Sequence, residues 1–419
     1  MRGPAAGVGG RRVAWAMVLL GGAAFVALAV LLVPWQPVPG GRPPPVADTD
    51  VLTAGELARA EEFVRTARLL GWSSLAVSLA VSALLGFTSL GTRLLGRLRL
   101  PWPLTVVGLV AGVLLLGRLA TLPLGLLNHR HRVGAGLSTQ STGAWLVDVA
   151  KGVGLGIVVT SIALLVLVGC ARRWRTWWPA VAGALAAGLV VVGSFVYPVL
   201  VEPLFNDFTP LEDGPLREQI LGVAEAEEVV VDDVLVADAS RRTTTLNAYV
   251  SGFGSTRRVV VYDTLLESQP DDQIVSVVAH ELAHASYDDV VTGTLLGAAG
   301  SVAGVGLLAL VLGSARVRRR AGVRGASDPR VVALVLALAA VGGVASSPVQ
   351  STISRQIEAR ADVAALTATG DAAAFVELQR ALCRRSLCDP TPPAWSQLWF
   401  GSHPTAVERV ALARRISRR

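Results

Sequence analysis

His280-Glu281-Leu-Ala-His284 places two imidazoles and a carboxylate at a spacing that suits hydrolysis. On a helix the two histidines lie one turn apart on one face, so both rings can reach a single Zn²⁺. Glu281 then stands beside a metal-bound water. The metal brings that water's pKa toward about 7, and the carboxylate takes its proton as hydroxide attacks a polarised carbonyl. The competing reading is a chance match, with the histidines making ordinary polar contacts on a buried helix. Against it, the chain has five histidines in all, and an apolar helix gains nothing from three costly polar groups on one turn. A catalytic zinc takes three protein ligands and keeps one open position. No third histidine follows at the metzincin spacing, so the last ligand should be a carboxylate on another helix. Ile353-Ser-Arg-Gln-Ile-Glu358-Ala-Arg-Ala-Asp362 supplies one. Glu358 is the expected ligand, with Asp362 a turn further on and able to orient a ligand histidine through its other ring nitrogen. A solvated helix face of mixed charge is the alternative for that segment. One zinc per chain is expected.

The histidine pair falls in a helix expected to start near Ser268-Gln-Pro-Asp-Asp272, where Pro270 and the two aspartates suit a first turn. Before it, Thr243 to Val250 and Arg257 to Tyr262 are rich in β-formers and flank Gly252-Phe-Gly-Ser255, which predicts two antiparallel strands around a loop. These polar segments sit in a chain that is 52% hydrophobic and 16% charged over 419 residues, with mean hydropathy +0.54. That balance excludes an ordinary cytosolic enzyme. Apolar runs long enough to cross about 30 Å of hydrocarbon recur seven times. They lie near Val13 to Pro34, Trp72 to Leu90, Pro103 to Leu127, Val147 to Cys170, Trp177 to Val201, Val291 to Gly313 and Val331 to Ser347. The first is too long for a signal peptide's apolar core and lacks a cleavage site, so it reads as an anchor. After it come a Pro/Gly-rich linker, Trp35 to Asp50, and Thr53-Ala-Gly-Glu56, a capping box opening an amphipathic helix that runs into the second span. The partition is therefore 1–201 with five spans, 202–290 a first catalytic segment, 291–347 two spans, and 348–419 a second catalytic segment. Together the two polar segments offer enough chain to enclose one core. The net charge of +7 is explained by basic residues flanking spans rather than by nucleic acid, which is not an expected partner.

These residues resemble the membrane zinc metallopeptidases of the type-1 CAAX prenyl protease family, relatives of the bacterial membrane heat-shock protease. Four further stretches carry the resemblance: Pro203-Leu-Phe-Asn-Asp-Phe-Thr-Pro-Leu211, Asn247-Ala-Tyr249, Thr264-Leu-Leu266 and Ser402-His-Pro-Thr-Ala-Val-Glu-Arg409. The resemblance implies a mainly α fold, a seven-helix membrane bundle with a split α+β gluzincin-type domain, acting as a zinc metalloendopeptidase on peptide or protein substrates. It implies His280, His284 and Glu358 as zinc ligands, Glu281 as general base and Asp362 behind the ligands. It further implies His403 as an oxyanion donor, Arg409 as support for the acidic groups, and Asn247, Ala248 and Tyr249 as the strand beside which substrate is laid. Read without the resemblance, Asn247 suits a turn and His403-Pro404 a loop. A sensor-transducer of the antibiotic-responsive type and a catalytically silent scaffold are the alternative functions. The first needs an appended binding domain for which the chain has no room, and the second should have lost Glu281 or a ligand.

His129 and His131 are expected in a solvated, arginine-rich loop, and Arg118 and Lys151 fall within spans, snorkelling or facing an interior cavity. Arginines cluster in alternate short segments: three before the first span, Arg93, Arg97 and Arg99, Arg172, Arg173 and Arg175, and six from Arg316 to Arg330. The intervening segments hold two, Arg130 and Arg132, and four in the longer Trp35 to Gly71. The positive-inside rule then puts both catalytic segments of this multi-pass cell-membrane protein on the extracytoplasmic side. Cys383 and Cys388 could be bridged there, or stand as two unpaired thiols.

Overall fold

A computed structural model of the chain describes residues 8–95 and 100–418. Arg2, Arg97 and Arg99, used in the charge argument above, lie outside the described residues. The membrane part begins with α1 (Val8–Leu32), α2 (Ala54–Phe87), the short α3 (Leu90–Leu95), α4 (Trp102–Gly134), α5 (Thr142–Arg173) and α6 (Trp178–Val196). Thr53 and Glu56 form the expected reciprocal cap, Thr53 N–H donating to Glu56 at 2.8 Å, and α2 continues unbroken from amphipathic segment into span. Among the described residues seven helices are long and apolar enough to cross a membrane.

The first polar stretch supplies β1 (Phe208–Pro210), α7 (Pro215–Ala226), β2 (Asp233–Ala237), β3 (Ala248–Ser251), β4 (Arg258–Tyr262), α8 (Asp263–Ser268) and α9 (Asp271–Ser286). The sheet order is β1-β2-β4-β3, with β2 and β4 parallel and the outer pairs antiparallel, so β3 is an edge. The β3–β4 connection needs Gly252 at φ +90°, where a Cβ would stand 2.2 Å from the Thr256 carbonyl oxygen. The expected strand from Thr243 starts only at Ala248. Residues 243–247 are instead occupied by hydroxyl bonds that replace the ladder, Thr243 and Thr244 donating to the carbonyls of Leu137 and Gly136 at 3.2 and 2.7 Å. These bonds hook the sheet to the loop after α4.

The chain re-enters the bundle as α10 (Asp289–Gly313), turns through α11 (Ala315–Ala321) and returns in α12 (Val332–Thr369), followed by α13 (Ala372–Ser386), α14 (Ala394–Phe400) and α15 (Ala406–Ile416). The boundary read at Pro348 thus falls inside one continuous 38-residue helix. α1 packs directly on α10, where a Cβ on Gly306 would meet Val18 N and Ala14 O at 2.8 Å. One apolar core joins Val234, Val259 and Val261 of the sheet with Ile274, Val278 and Leu282 of α9 and Leu378 of α13. Both polar stretches share it.

Two expectations need correction. His129 and His131 are in neither a loop nor water: α4 runs through both, His129 is 5% exposed and stacks on Trp145, and His131 stacks on Phe63 and bonds its carbonyl at 3.0 Å. The Trp35–Asp50 segment is not a free linker. Arg414 and Arg415 of α15 grip Asp50, Gly40 and Gly41, and Val46 donates to Val407, so the segment straps the C-terminal helices. Of the two span charges, Lys151 donates to the Leu204 carbonyl at 2.9 Å, and the Arg118 guanidinium stands 5.9 Å from the Trp145 ring.

Candidate metal centre

α9 buries Ile274, Val278 and Leu282 on the sheet side and packs its other face on α12. That arrangement turns His280 and His284 toward Glu358, which is 8% exposed. His280 Nε2 lies 3.2 Å from Glu358 Oε2 and 3.3 Å from His284 Nε2, and His284 Nε2 lies 3.6 Å from Glu358 Oε1. One ligand atom from each of the three residues falls within 4.8 Å of the others. Bonds of about 2.0–2.1 Å from a tetrahedral ion imply ligand-to-ligand edges of about 3.3 Å, so the two nitrogens and the Glu358 carboxylate stand near enough together to share one small ion.

Both histidines are held from behind. His280 Nδ1 is 3.0 Å from Asp362, which is fully buried and pinned by Arg409 through Nε at 3.0 Å and through Nη2. Burial pushes the His280 imidazole toward neutrality, but the Asp362 and Glu358 carboxylates outweigh it and hold the pKa at about 9. His284 Nδ1 is 2.9 Å from Asp289, itself paired with Arg360.

Beside these groups a cavity of about 150 Å³ is lined by Asn247, Ser276, Glu281, Gln379, His403 and Arg409 among others. Burial raises the Glu281 carboxyl, making it a better proton acceptor than a solvated glutamate, while His280 and His284 partly oppose the shift. The His403 side chain is 60% exposed, with Nε2 3.5 Å from Glu358 and Nδ1 2.9 Å from Ser402 Oγ. Partial desolvation at the cleft rim lowers its pKa and favours the neutral form, against the pull of Glu358. Asn247 immediately precedes β3 and accepts from Tyr262 N–H at 3.1 Å. Because paired residues alternate along an antiparallel ladder, this bond assigns the free edge of the sheet to the backbone groups of Ala248 and Val250.

Residues 210–417 match peptidase family M48, and residues 63–207 match the CAAX prenyl protease N-terminal family of five membrane helices. The chain belongs to peptidase family M48. As a member it is an integral-membrane metalloprotease, a hydrolase whose substrate is a peptide or protein and whose helices sit in a lipid bilayer. It is 29% identical over 309 residues to the uncharacterized metalloprotease YhfN of Bacillus subtilis, covering 73% of this chain and 72% of that one. To a CAAX prenyl protease 1 homolog of Arabidopsis thaliana it is 33% identical over 187 residues, 43% of each protein. The crystal structure of S. mikatae Ste24p shares its fold, with TM-score 0.79 at 20% identity over 96% of this chain and 99% of that one. Neither the sensor-transducer nor the scaffold is favoured by these matches.

In this M48 peptidase the sequence-predicted His280, Glu281, His284, Glu358, Asp362, His403 and Arg409 come together, with Asn247 at the cavity wall. Asp289, Arg360 and Gln379 were missed. Asp289 carried a weak signal, an acid five residues past the second histidine. Gln379 carried none, since only the docking of α13 brings it to the cavity.

Proposed function

We propose that His280, His284 and Glu358 hold one zinc ion per chain and that Glu281 is the general base of peptide-bond hydrolysis. The observation that carries this reading is the convergence of two imidazole nitrogens, 3.3 Å apart, on the two oxygens of one carboxylate at 3.2 and 3.6 Å, a donor set suited to catalytic zinc. When bound, zinc supplies a Lewis acid and makes a water nucleophilic near neutral pH. Glu281 takes the water's proton and returns it to the departing amine. His403 donates from the cleft rim to the oxyanion that develops on the scissile carbonyl. Arg409 holds Asp362 against His280 Nδ1, so that Nε2 of that ring is directed toward the metal position. Asn247, Ala248 and Tyr249 guide an extended substrate, whose backbone adds to the free edge of β3.

On this reading residues 202–290 and 348–419 form the split catalytic domain, and it lies on the extracytoplasmic side. Support comes from the arginine clusters in the alternate segments and from the bridge between Cys383 and Cys388, a bond suited to an oxidising exterior. Metal analysis of purified protein should find about one zinc per chain, and His280→Ala, His284→Ala or Glu358→Ala should each strip most of it. Glu281→Ala should keep zinc and lose nearly all turnover. Full zinc occupancy in Glu358→Ala would sink the ligand assignment. Glu281→Gln then serves as a trap from which retained peptides identify the substrate.

A further inference from the structure

We infer that Asp289 and Arg360 are positioning residues for His284, a support distinct from the Asp362 and Arg409 pair behind His280; the inference rests on the ligand assignment just given. Asp289 is the first residue of α10, and its side chain is 8% exposed. One of its oxygens, Oδ2, lies 2.9 Å from His284 Nδ1, and the other receives the Arg360 guanidinium. A carboxylate can only accept, so this contact places the proton on Nδ1 and leaves the Nε2 lone pair directed at His280 and Glu358. Arg360 is in turn stacked 4.2 Å from the Tyr287 ring, which fixes where its charge can sit.

The backbone is bent to make this contact. Between α9 and α10 Asp288 adopts φ +51° and ψ 41°, a left-handed conformation that disfavours side-chain-bearing residues. Arg257 steadies it with a 3.0 Å bond to the Asp288 carboxylate and another to the Ala285 carbonyl. The reversal lets a membrane-spanning helix start five residues after His284 and brings its first carboxylate back under that ring. On α12, Glu358, Arg360 and Asp362 follow at intervals of two. That short stretch supplies one ligand, the cation that holds Asp289 and the carboxylate that holds His280. Loss of either support should loosen metal binding without removing a ligand.

A simpler role for Asp289 is to stabilise the first turn of α10 and tie it to α12. The two roles separate on metal affinity, measured on the full-length protein in detergent by competition with a zinc chelator and by the visible absorption of its Co²⁺ form. Asp289→Asn is expected to raise the zinc dissociation constant by about 10- to 100-fold, the range for lost supporting partners of metal-bound histidines, and to shift the Co²⁺ bands. Arg360→Gln, which keeps the carboxylate, should move both readouts in the same direction and by less. Wild-type affinity and Co²⁺ spectrum in both variants, with only a lowered melting temperature, would overturn the inference. His284→Ala is the control: if it also keeps its metal, the ligand assignment fails first, whereas metal loss there with no effect at Asp289 rejects the positioning role alone.

Discussion

His403 is the residue on which geometry makes the sharpest demand. Its Nε2 is 3.5 Å from Glu358 and its side chain is 60% exposed, so it can turn from the carboxylate to a substrate oxygen without unburying anything. His403→Ala is therefore expected to lower kcat by about 10²-fold or more, as for loss of other oxyanion donors, with zinc content intact. Single-turnover kinetics on the zinc-loaded variant check this, and an unchanged chemical step would return His403 to an ordinary loop residue. The histidine pair was legible because its chemistry is written at helix spacing, and Glu358 because a zinc site lacking a third histidine needs a carboxylate. Asp289 was not. A charge at a helix start has a local explanation, and only the left-handed turn at Asp288 gives it a second one. His129 was misread for the opposite reason: arginines on either side suggest solvent, whereas its ring is buried against Trp145.

At the scale of elements, the placing of His403 depends on a short helix docked to a proline. Pro348 lies within α12 and has no N–H for the carbonyl four residues back. Trp399 of α14 fills the gap, its indole N–H donating to Val344 O at 3.1 Å. Further along, Arg355 of α12 bonds the carbonyls of Gln397 and Gly401, and the Gln397 amide bonds that of His403. Trp399→Phe should cost about 1–3 kcal/mol by leaving that carbonyl unpaired, and should lower turnover with metal retained. Adding Pro348→Ala restores a backbone donor, so the double variant should regain most of the melting temperature lost; failure to regain it would disconnect Trp399 from the proline. None of this docking could be read in advance, since nothing local links residues 344 and 399. The capping box of α2 was legible because Thr53 and Glu56 are three residues apart. β1 escaped notice because a three-residue strand is too short to display a pattern.

For the whole molecule, the strap of residues 35–52 and the hook at Thr243 and Thr244 bind the catalytic part to two different loops of the bundle. Both loops must therefore emerge on the catalytic side. An impermeant thiol reagent added to intact cells after mild reduction should label Cys383 and Cys388 in a Cys170→Ser background. Labelling only after the membrane is broken would place the catalytic part in the cytoplasm and reverse the orientation. The unbroken course of α12 has a consequence for substrates anchored in lipid. Its span was read to end at Ser347, and Glu358 follows eleven residues later on the same rod, about 16 Å away at the usual helical rise. With Glu358 as metal ligand and the span ending there, the scissile bond would be met at a set height above the bilayer, and an extended chain would need about five residues to climb there. In a series of membrane-tethered peptides with the bond moved residue by residue, cleavage should begin near that spacer length, and a cut flush with the lipid surface would show that the rod does not act as a gauge.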